Sequence, residues 1–293
     1  MKELHGAGVA LVTPFHSDGS IDFESLATLI EYQITGGMDY LVSLGTTGEV
    51  ATLNKKEKFA VWEFTAKQVA GRIPLVAGIG GNNTAEVVAE VSSFDVSGYC
   101  AILSVSPYYS KPTQAGIYAH YKAIAEASKL PIILYNVPSR TGSSISSATT
   151  VRLAKDFANI VATKEASGSF AQFSEIMRDK PADFLLISGD DPITLPMMSL
   201  GAVGLISVVA NAYPKQIADL VHACAAGDYV GARTTHNSLL ETIDLCFVDA
   251  NPCGVKYILQ ELYIGTEHVR LPLVTITDAT KEAIKQAMPL LAQ

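Results

Sequence analysis

Eight short, almost wholly apolar runs set the tightest limit on what this chain folds into. They are Val9–Thr13, Tyr40–Leu44, Leu75–Ala77, Ala101–Ser104, Ile132–Tyr135, Ile160–Lys164, Phe184–Ile187 and Gly204–Val208. They recur at intervals of roughly 20 to 35 residues, the span of a strand, a helix and the return. Runs without polar alternation belong to strands buried on both faces, as in a parallel sheet. Eight such units with right-handed crossovers close into a (β/α)8 TIM barrel. The competing architecture, an open doubly wound sheet, usually places a glycine-rich phosphate turn after its first strand. Here Thr13-Pro14-Phe15 occupies that place.

The intervening segments carry helix signals. Phe23, Leu26, Ile30 and Ile34 share a helical face, and Gly36-Gly37 ends that helix. Asn54 with Glu57 reads as a capping box ahead of Phe59, Trp62 and Val69. Thr84 reads as the cap of a helix bearing Val87, Val88, Val91 and Phe94. Strand signals stop after residue 212, and Pro214–Ala226, Asp228–Phe247, Cys253–Leu262 and Asp278–Leu291 read as helices. The expected organisation is a barrel over residues 1–225 and a C-terminal helical extension over 226–293, in one continuous unit.

Composition excludes several classes. Among 293 residues the net charge is −8, which disfavours nucleic acid and a polybasic membrane contact. No apolar run reaches the roughly 18 residues of a membrane-spanning helix, and no signal peptide is visible. Cys100, Cys224, Cys246 and Cys253 show neither C-x-x-C pairing nor zinc spacing. Free thiols in a reducing compartment are expected, hence a cytoplasmic protein. The six histidines are scattered, so no metal is expected. Gly78-x-Gly80-Gly81 lacks the third glycine of a dinucleotide fingerprint and reads as a turn.

In a barrel of this kind the active site lies at the C-terminal ends of the strands. Those ends present Gly45-Thr46-Thr47-Gly48-Glu49, Ser106-Pro107-Tyr108-Tyr109, Tyr135 to Gly142 with Arg140 among them, Lys164, and Ser188-Gly189-Asp190-Asp191. Strand 8 contains Ile206. Lys164 is the anomaly. An ammonium inside an apolar strand costs several kcal/mol unless it is paired or gives up its proton. It is either a snorkelling lysine at a strand end or an amine nucleophile able to form a Schiff base with a ketone. Each neighbour alone has an ordinary reading as a turn, a packed ring, a solvated charge or a cap; Glu49 has no role beyond its turn. Together they place one amine, several hydroxyls and one guanidinium on one rim. That set suits Schiff-base chemistry on a keto acid. With no histidine and no obvious carboxylate at the strand ends, hydroxyls must relay the protons, and Arg140 can clamp a carboxylate in a bidentate fork.

The motifs Gly45-Thr46-Thr47-Gly48-Glu49, Tyr135-Asn136-Val137-Pro138-Ser139-Arg140-Thr141-Gly142 and Lys164-Glu165-Ala166 closely resemble those of the dihydrodipicolinate synthase family, within the Schiff-base pyruvate-aldolase (N-acetylneuraminate lyase) superfamily. The resemblance runs from Gly8 through Leu11-Val12-Thr13-Pro14-Phe15 to Leu271-Pro272-Leu273. It implies that Lys164 forms an imine with pyruvate, without an added cofactor, and that the enamine attacks L-aspartate 4-semialdehyde to give 4-hydroxy-tetrahydrodipicolinate. It implies a proton relay of Thr46, Tyr109 and Tyr135, with Tyr109 donated across a dimer interface. Thr47 matches a contact to the pyruvate carboxylate, Gly189 and Ile206 match pocket positions, and Arg140 matches the receiver of the semialdehyde carboxylate. Family members are commonly homotetramers, dimers of tight dimers. Sister activities, N-acetylneuraminate lyase and other keto-acid aldolases, typically lack an arginine at this position. A catalytically silent ligand-binding barrel is the third possibility.

Lysine-inhibited members bind lysine at the dimer interface. Val50, Ala51, Asn82, Glu86 and Tyr108 match that site, but Lys55 and Lys58 stand where it has two histidines. Two added cations disfavour a cationic ligand, so inhibition by L-lysine is not a safe expectation here.

Overall fold

The computed structural model describes residues 1–288. Eight strands close into one parallel barrel in chain order: β1 (Gly6–Ala10), β2 (Tyr40–Ser43), β3 (Leu75–Gly78), β4 (Ala101–Val105), β5 (Ile132–Asn136), β6 (Ile160–Glu165), β7 (Leu185–Ser188) and β8 (Gly204–Ser207). The open-sheet alternative is thereby removed: Gly6 to Val9 of β1 pair with Gly204 to Ser207 of β8. The closing contact is backbone on backbone. A Cβ at Gly204 would lie 2.0 Å from the Gly6 carbonyl oxygen, so only glycine fits.

Seven strands begin within one residue of their expected starts. β1 does not. Expected at Val9–Thr13, it is Gly6–Ala10, because pairing with β8 begins at Gly6, whose N–H donates to Val203. Beyond Leu11 the chain has left the ladder: the Val12 N–H donates to the Asn211 side chain and the Thr13 hydroxyl to Gly48.

Alternation along the strands separates two packed regions. Ala10, Tyr40, Val42, Val76, Leu103, Ile133, Tyr135, Ala162, Ile187 and Ile206 point inward and, with Leu4, fill the barrel. Val9, Leu41, Leu75, Ile102, Leu134, Leu186 and Leu205 point outward against the helices. Truncating one of these fully buried leucines to alanine costs about 2–5 kcal/mol. The inward set explains why strand ends become a site: whatever stands at the last inward position of each strand faces the axis.

The capping box at Asn54 and Glu57 forms around helix Lys55–Val69. Thr84 does not cap the next helix. Asn83 does, accepting the Ala85 N–H, while the Thr84 hydroxyl meets Nδ1 of His120 at 2.9 Å. The last helices are Pro214–Ala225, Tyr229–Leu245, Cys253–Glu261 and Asp278–Ala287. The expectation for residues 289–291 lies outside the described residues. Tyr229–Leu245 packs on Pro214–Ala225 and on Asp278–Ala287. The segment after it returns to the barrel mouth, where the Asn251 side chain donates to the Thr47 hydroxyl at 3.1 Å.

Candidate active site

Lys164 does not snorkel. Its residue is only 4% exposed, its side chain points into the barrel, and β5–β6 register sets it beside Tyr135. The Lys164 Nζ lies 4.4 Å from the centre of the Tyr135 ring. Burial pulls the amine down from the usual lysine range to about 8; the Asp191 carboxylate resists, Arg140 adds to the fall and Asp190 opposes it. At pH 7 about a tenth of such amines are neutral, against well under a thousandth for a free lysine side chain.

A cavity of about 360 Å³ opens above this amine. Thr46, Thr47, Tyr135, Arg140, Lys164 and Gly189 all line it. Burial raises the Tyr135 phenol, and Arg140 and a hydrogen bond with the Thr46 side chain counter that rise. A hydroxyl pair in contact beside an amine can pass a proton in either direction. Gly189 is small for a steric reason: a Cβ there would come 2.9 Å from Cγ and 3.0 Å from Cε of Lys164. Arg140 rides on the short helix Pro138–Thr141 directly after β5 and reaches the cavity from its exposed mouth.

Behind the lysine, the next residue faces the opposite way. Glu165 is fully buried among the helices and accepts hydrogen bonds from Asn136, Ser167 and Gln172. Asn136 in turn accepts the Ile145 N–H at 2.9 Å. This network pins both ends of the loop that carries Arg140 to the strand that carries Lys164.

Two expected residues are not on the cavity wall. Ile206 is buried in the barrel packing with Tyr135, not exposed to the cavity. Tyr109 is 90% exposed at φ 69°, outside the cavity of its own chain. The expectation that no carboxylate stands at the strand ends is corrected. Asp190 lines the cavity, and Asp191 is buried beneath it, accepting the Ser207 hydroxyl and the Val208 N–H. Burial raises both carboxyls. The acidic pair was visible in Ser-Gly-Asp-Asp but read as a cap. Phe247 and Asn251 also line the cavity, and no local signal in the C-terminal extension pointed to them. Among the described residues no group of His, Cys, Asp and Glu side chains is placed to hold a metal ion.

The sequence model of the dihydrodipicolinate synthetase family matches residues 3–290. The chain belongs to the dihydrodipicolinate synthetase family. It is an enzyme of that family, with the family's barrel. A 4-hydroxy-tetrahydrodipicolinate synthase of Parabacteroides distasonis is 50% identical over 97% of this chain and 96% of its own length. The crystal structure of dihydrodipicolinate synthase from Aquifex aeolicus superposes with a TM-score of 0.95 at 40% identity, covering 98% of this chain and 97% of that one. The chloride-inhibited dihydrodipicolinate synthase from Acinetobacter baumannii, solved in complex with pyruvate, matches with a TM-score of 0.95 at 39% identity over 99% of both chains.

The residues matched to a regulatory lysine site divide between two places. Val50, Ala51, Lys58 and Tyr108 line a cavity of about 260 Å³ that also reaches Thr46 and Arg140. Asn82 sits beside it, its amide donating to the Tyr108 carbonyl. Lys55 and Glu86 line a separate groove of about 480 Å³ on the helix face, which shares Lys58. Lys58 pairs with Glu90 at 3.4 Å.

Proposed function

We propose that this enzyme condenses pyruvate with L-aspartate 4-semialdehyde through an imine on Lys164, giving 4-hydroxy-tetrahydrodipicolinate on the diaminopimelate route to lysine. One observation carries the reading: a buried amine at the floor of a cavity whose mouth holds a guanidinium. The neutral amine adds to the ketone of pyruvate. The carbinolamine oxygen takes a proton and leaves as water, and the resulting iminium withdraws electrons from the neighbouring methyl. Loss of a methyl proton gives the enamine, whose terminal carbon bonds to the aldehyde carbon of the semialdehyde. The aldehyde oxygen becomes the hydroxyl. The substrate's own amine then displaces Lys164 and closes the ring. The lysine supplies the electron sink, so this chemistry needs no added cofactor. Tyr135 and Thr46 pass the protons, Thr47 and its N–H receive the pyruvate carboxylate, and Arg140 receives the carboxylate of the second substrate.

Tyr109 completes the relay in a neighbouring copy. Its near-complete exposure, on a backbone held at positive φ, favours a ring presented outward to a second chain. A dimer is then the minimal active unit and a homotetramer of two such dimers the expected assembly. Four unpaired cysteines, three of them buried, favour a cytoplasmic setting.

The substrate assignment is tested by comparing three donors at one enzyme concentration. Pyruvate with aspartate semialdehyde should turn over, and N-acetylneuraminate and sugar-derived keto acids should be cleaved at least about 100-fold more slowly in kcat/KM, the loss expected when the guanidinium has no carboxylate to receive. Faster cleavage of N-acetylneuraminate would move the chain to the sister activity.

Regulation follows from Lys58. Its ammonium stands in the cavity that Val50, Ala51 and Tyr108 line, where a second ammonium is repelled. Initial rates should stay within a factor of two as free L-lysine rises to 10 mM, on the order of 1 kcal/mol of repulsion being enough to lose a weak site. Half-inhibition below 1 mM would show that Glu90 neutralises Lys58 well enough to admit the ligand.

A further inference from the structure

Glu49 and Lys256 form a fully buried ion pair that the imine chemistry does not use. Both side chains are sealed from solvent, 1% and 0% exposed for Lys256 and Glu49, and they join positions 207 residues apart. Lys256 lies on helix Cys253–Glu261 of the C-terminal extension. Its Nζ donates to Glu49 Oε1 and to the His268 carbonyl, and sits 4.2 Å from the centre of the Phe15 ring. The other Glu49 oxygen accepts the Arg270 N–H at 3.0 Å. The Arg270 guanidinium then holds the carbonyls of Gly19 and Thr52 and the Glu57 carboxylate.

All of this converges on one turn. Thr46–Gly48 is a single 3-10 turn, and Glu49 ends it in the left-handed region at φ 52°. A residue with a long side chain holds that conformation at a cost, and the surroundings must impose it. Here the ion pair does so from one side. The Thr13 hydroxyl, bonded to the Gly48 carbonyl, and Asn251, bonded to the Thr47 hydroxyl, hold the same turn from two others.

We infer that the Glu49–Lys256 pair is a positioning device of the C-terminal extension, fixing the turn that aims Thr46 at Tyr135 and Thr47 at the pyruvate carboxylate. The inference rests on the imine reading above. Neither residue touches the cavity, so both act through the two threonines. A pair this buried also has a purely structural reading, in which its loss only lowers the folded fraction. Breaking one partner strands a charge, whereas replacing both with neutral groups removes that penalty.

The two readings separate when turnover is counted per competent site. Pyruvate with borohydride titrates the sites able to form the imine, and kcat is divided by that number. Glu49→Asp keeps the charge but withdraws it by one methylene; the double variant Glu49→Gln with Lys256→Met removes both charges. For a positioning pair, turnover per trapped site falls at least 10-fold in both variants and KM for pyruvate rises at least 5-fold. KM for the semialdehyde, which depends on Arg140, stays within 2-fold. Turnover per trapped site equal to the parent, with activity lost only in proportion to trapped sites, overturns the inference. Glu49→Gln alone removes the ion pair but keeps a hydrogen-bonding group facing Lys256, and it keeps the test decisive if both charge variants are insoluble. A 5-fold fall per trapped site supports the pair's positioning role, and parental turnover overturns it. If the parent enzyme itself traps no pyruvate, the imine reading has failed rather than the positioning role.

Discussion

Lys164→Met is expected to abolish turnover and raise stability together. Removing the proposed nucleophile costs on the order of 10⁴-fold or more in kcat, since a cavity without that amine can build no electron sink. The stability gain comes from the same burial that makes the amine reactive. Folding lowers the Lys164 pKa from the ordinary 10.5 to about 8. Between those values the unfolded chain holds a proton that the folded one does not, so stability rises as pH climbs through that window. Below about pH 8 both states are protonated and the penalty stands in full. At pH 7 it amounts to about 1–3 kcal/mol, which a methionine of similar shape removes. The melting temperature should therefore rise by about 2–4 °C per kcal/mol at pH 7, and the gain should shrink as pH climbs from about 8 and be gone near the ordinary 10.5. A variant that is inactive and less stable at pH 7 would show that the ammonium is well paired and not poised.

Arg140→Ala is expected to separate the two substrates. The guanidinium stands at the cavity mouth, away from the last inward positions of β5 and β6. A bidentate carboxylate clamp contributes about 3–4 kcal/mol, so kcat/KM for the semialdehyde should fall roughly 10²–10³-fold. The pyruvate adduct should still form. Its pH dependence should change, because Arg140 is one of the groups that lower Lys164. Removing that positive charge raises the amine pKa and moves the rising limb of imine formation to higher pH. Loss of the adduct itself at every pH would make Arg140 part of the pyruvate site.

The barrel was legible because its strands are apolar on both faces and its helices carry ordinary caps. A parallel sheet covered on both sides leaves little else for such runs to be. β1 was misplaced by three residues because its start is dictated by β8, about 200 residues away, and not by its own hydropathy. Thr84 was misread as a cap because Asn83, one residue earlier, offers the same chemistry, and His120 claims the threonine hydroxyl. The site divides in the same way. Lys164, Tyr135, Thr46, Thr47 and Gly189 stand at strand ends, where chain position alone puts them on the rim. Asp190 was in view, but its chemistry depends on what Asp191 and Lys164 do beside it. Phe247 and Asn251 come from the turn between helices Tyr229–Leu245 and Cys253–Glu261, and Lys256 from the second of these, where the sequence says only that the segments pack. The ionic partner of Glu49 could not be read from a turn, since Lys256 is set by the fold of the whole extension.

Among the described residues two lysines are buried and drawn down to about 8, Lys164 and Lys256, and of the two Lys164 alone lines the cavity. Lys256 is already held by Glu49. Treating the enzyme with pyruvate and borohydride, digesting it and locating the reduced adduct by mass spectrometry therefore tests the central claim directly. A single modification on the peptide containing Lys164 is the predicted result. No modification, or one on the peptide containing Lys256, would contradict it.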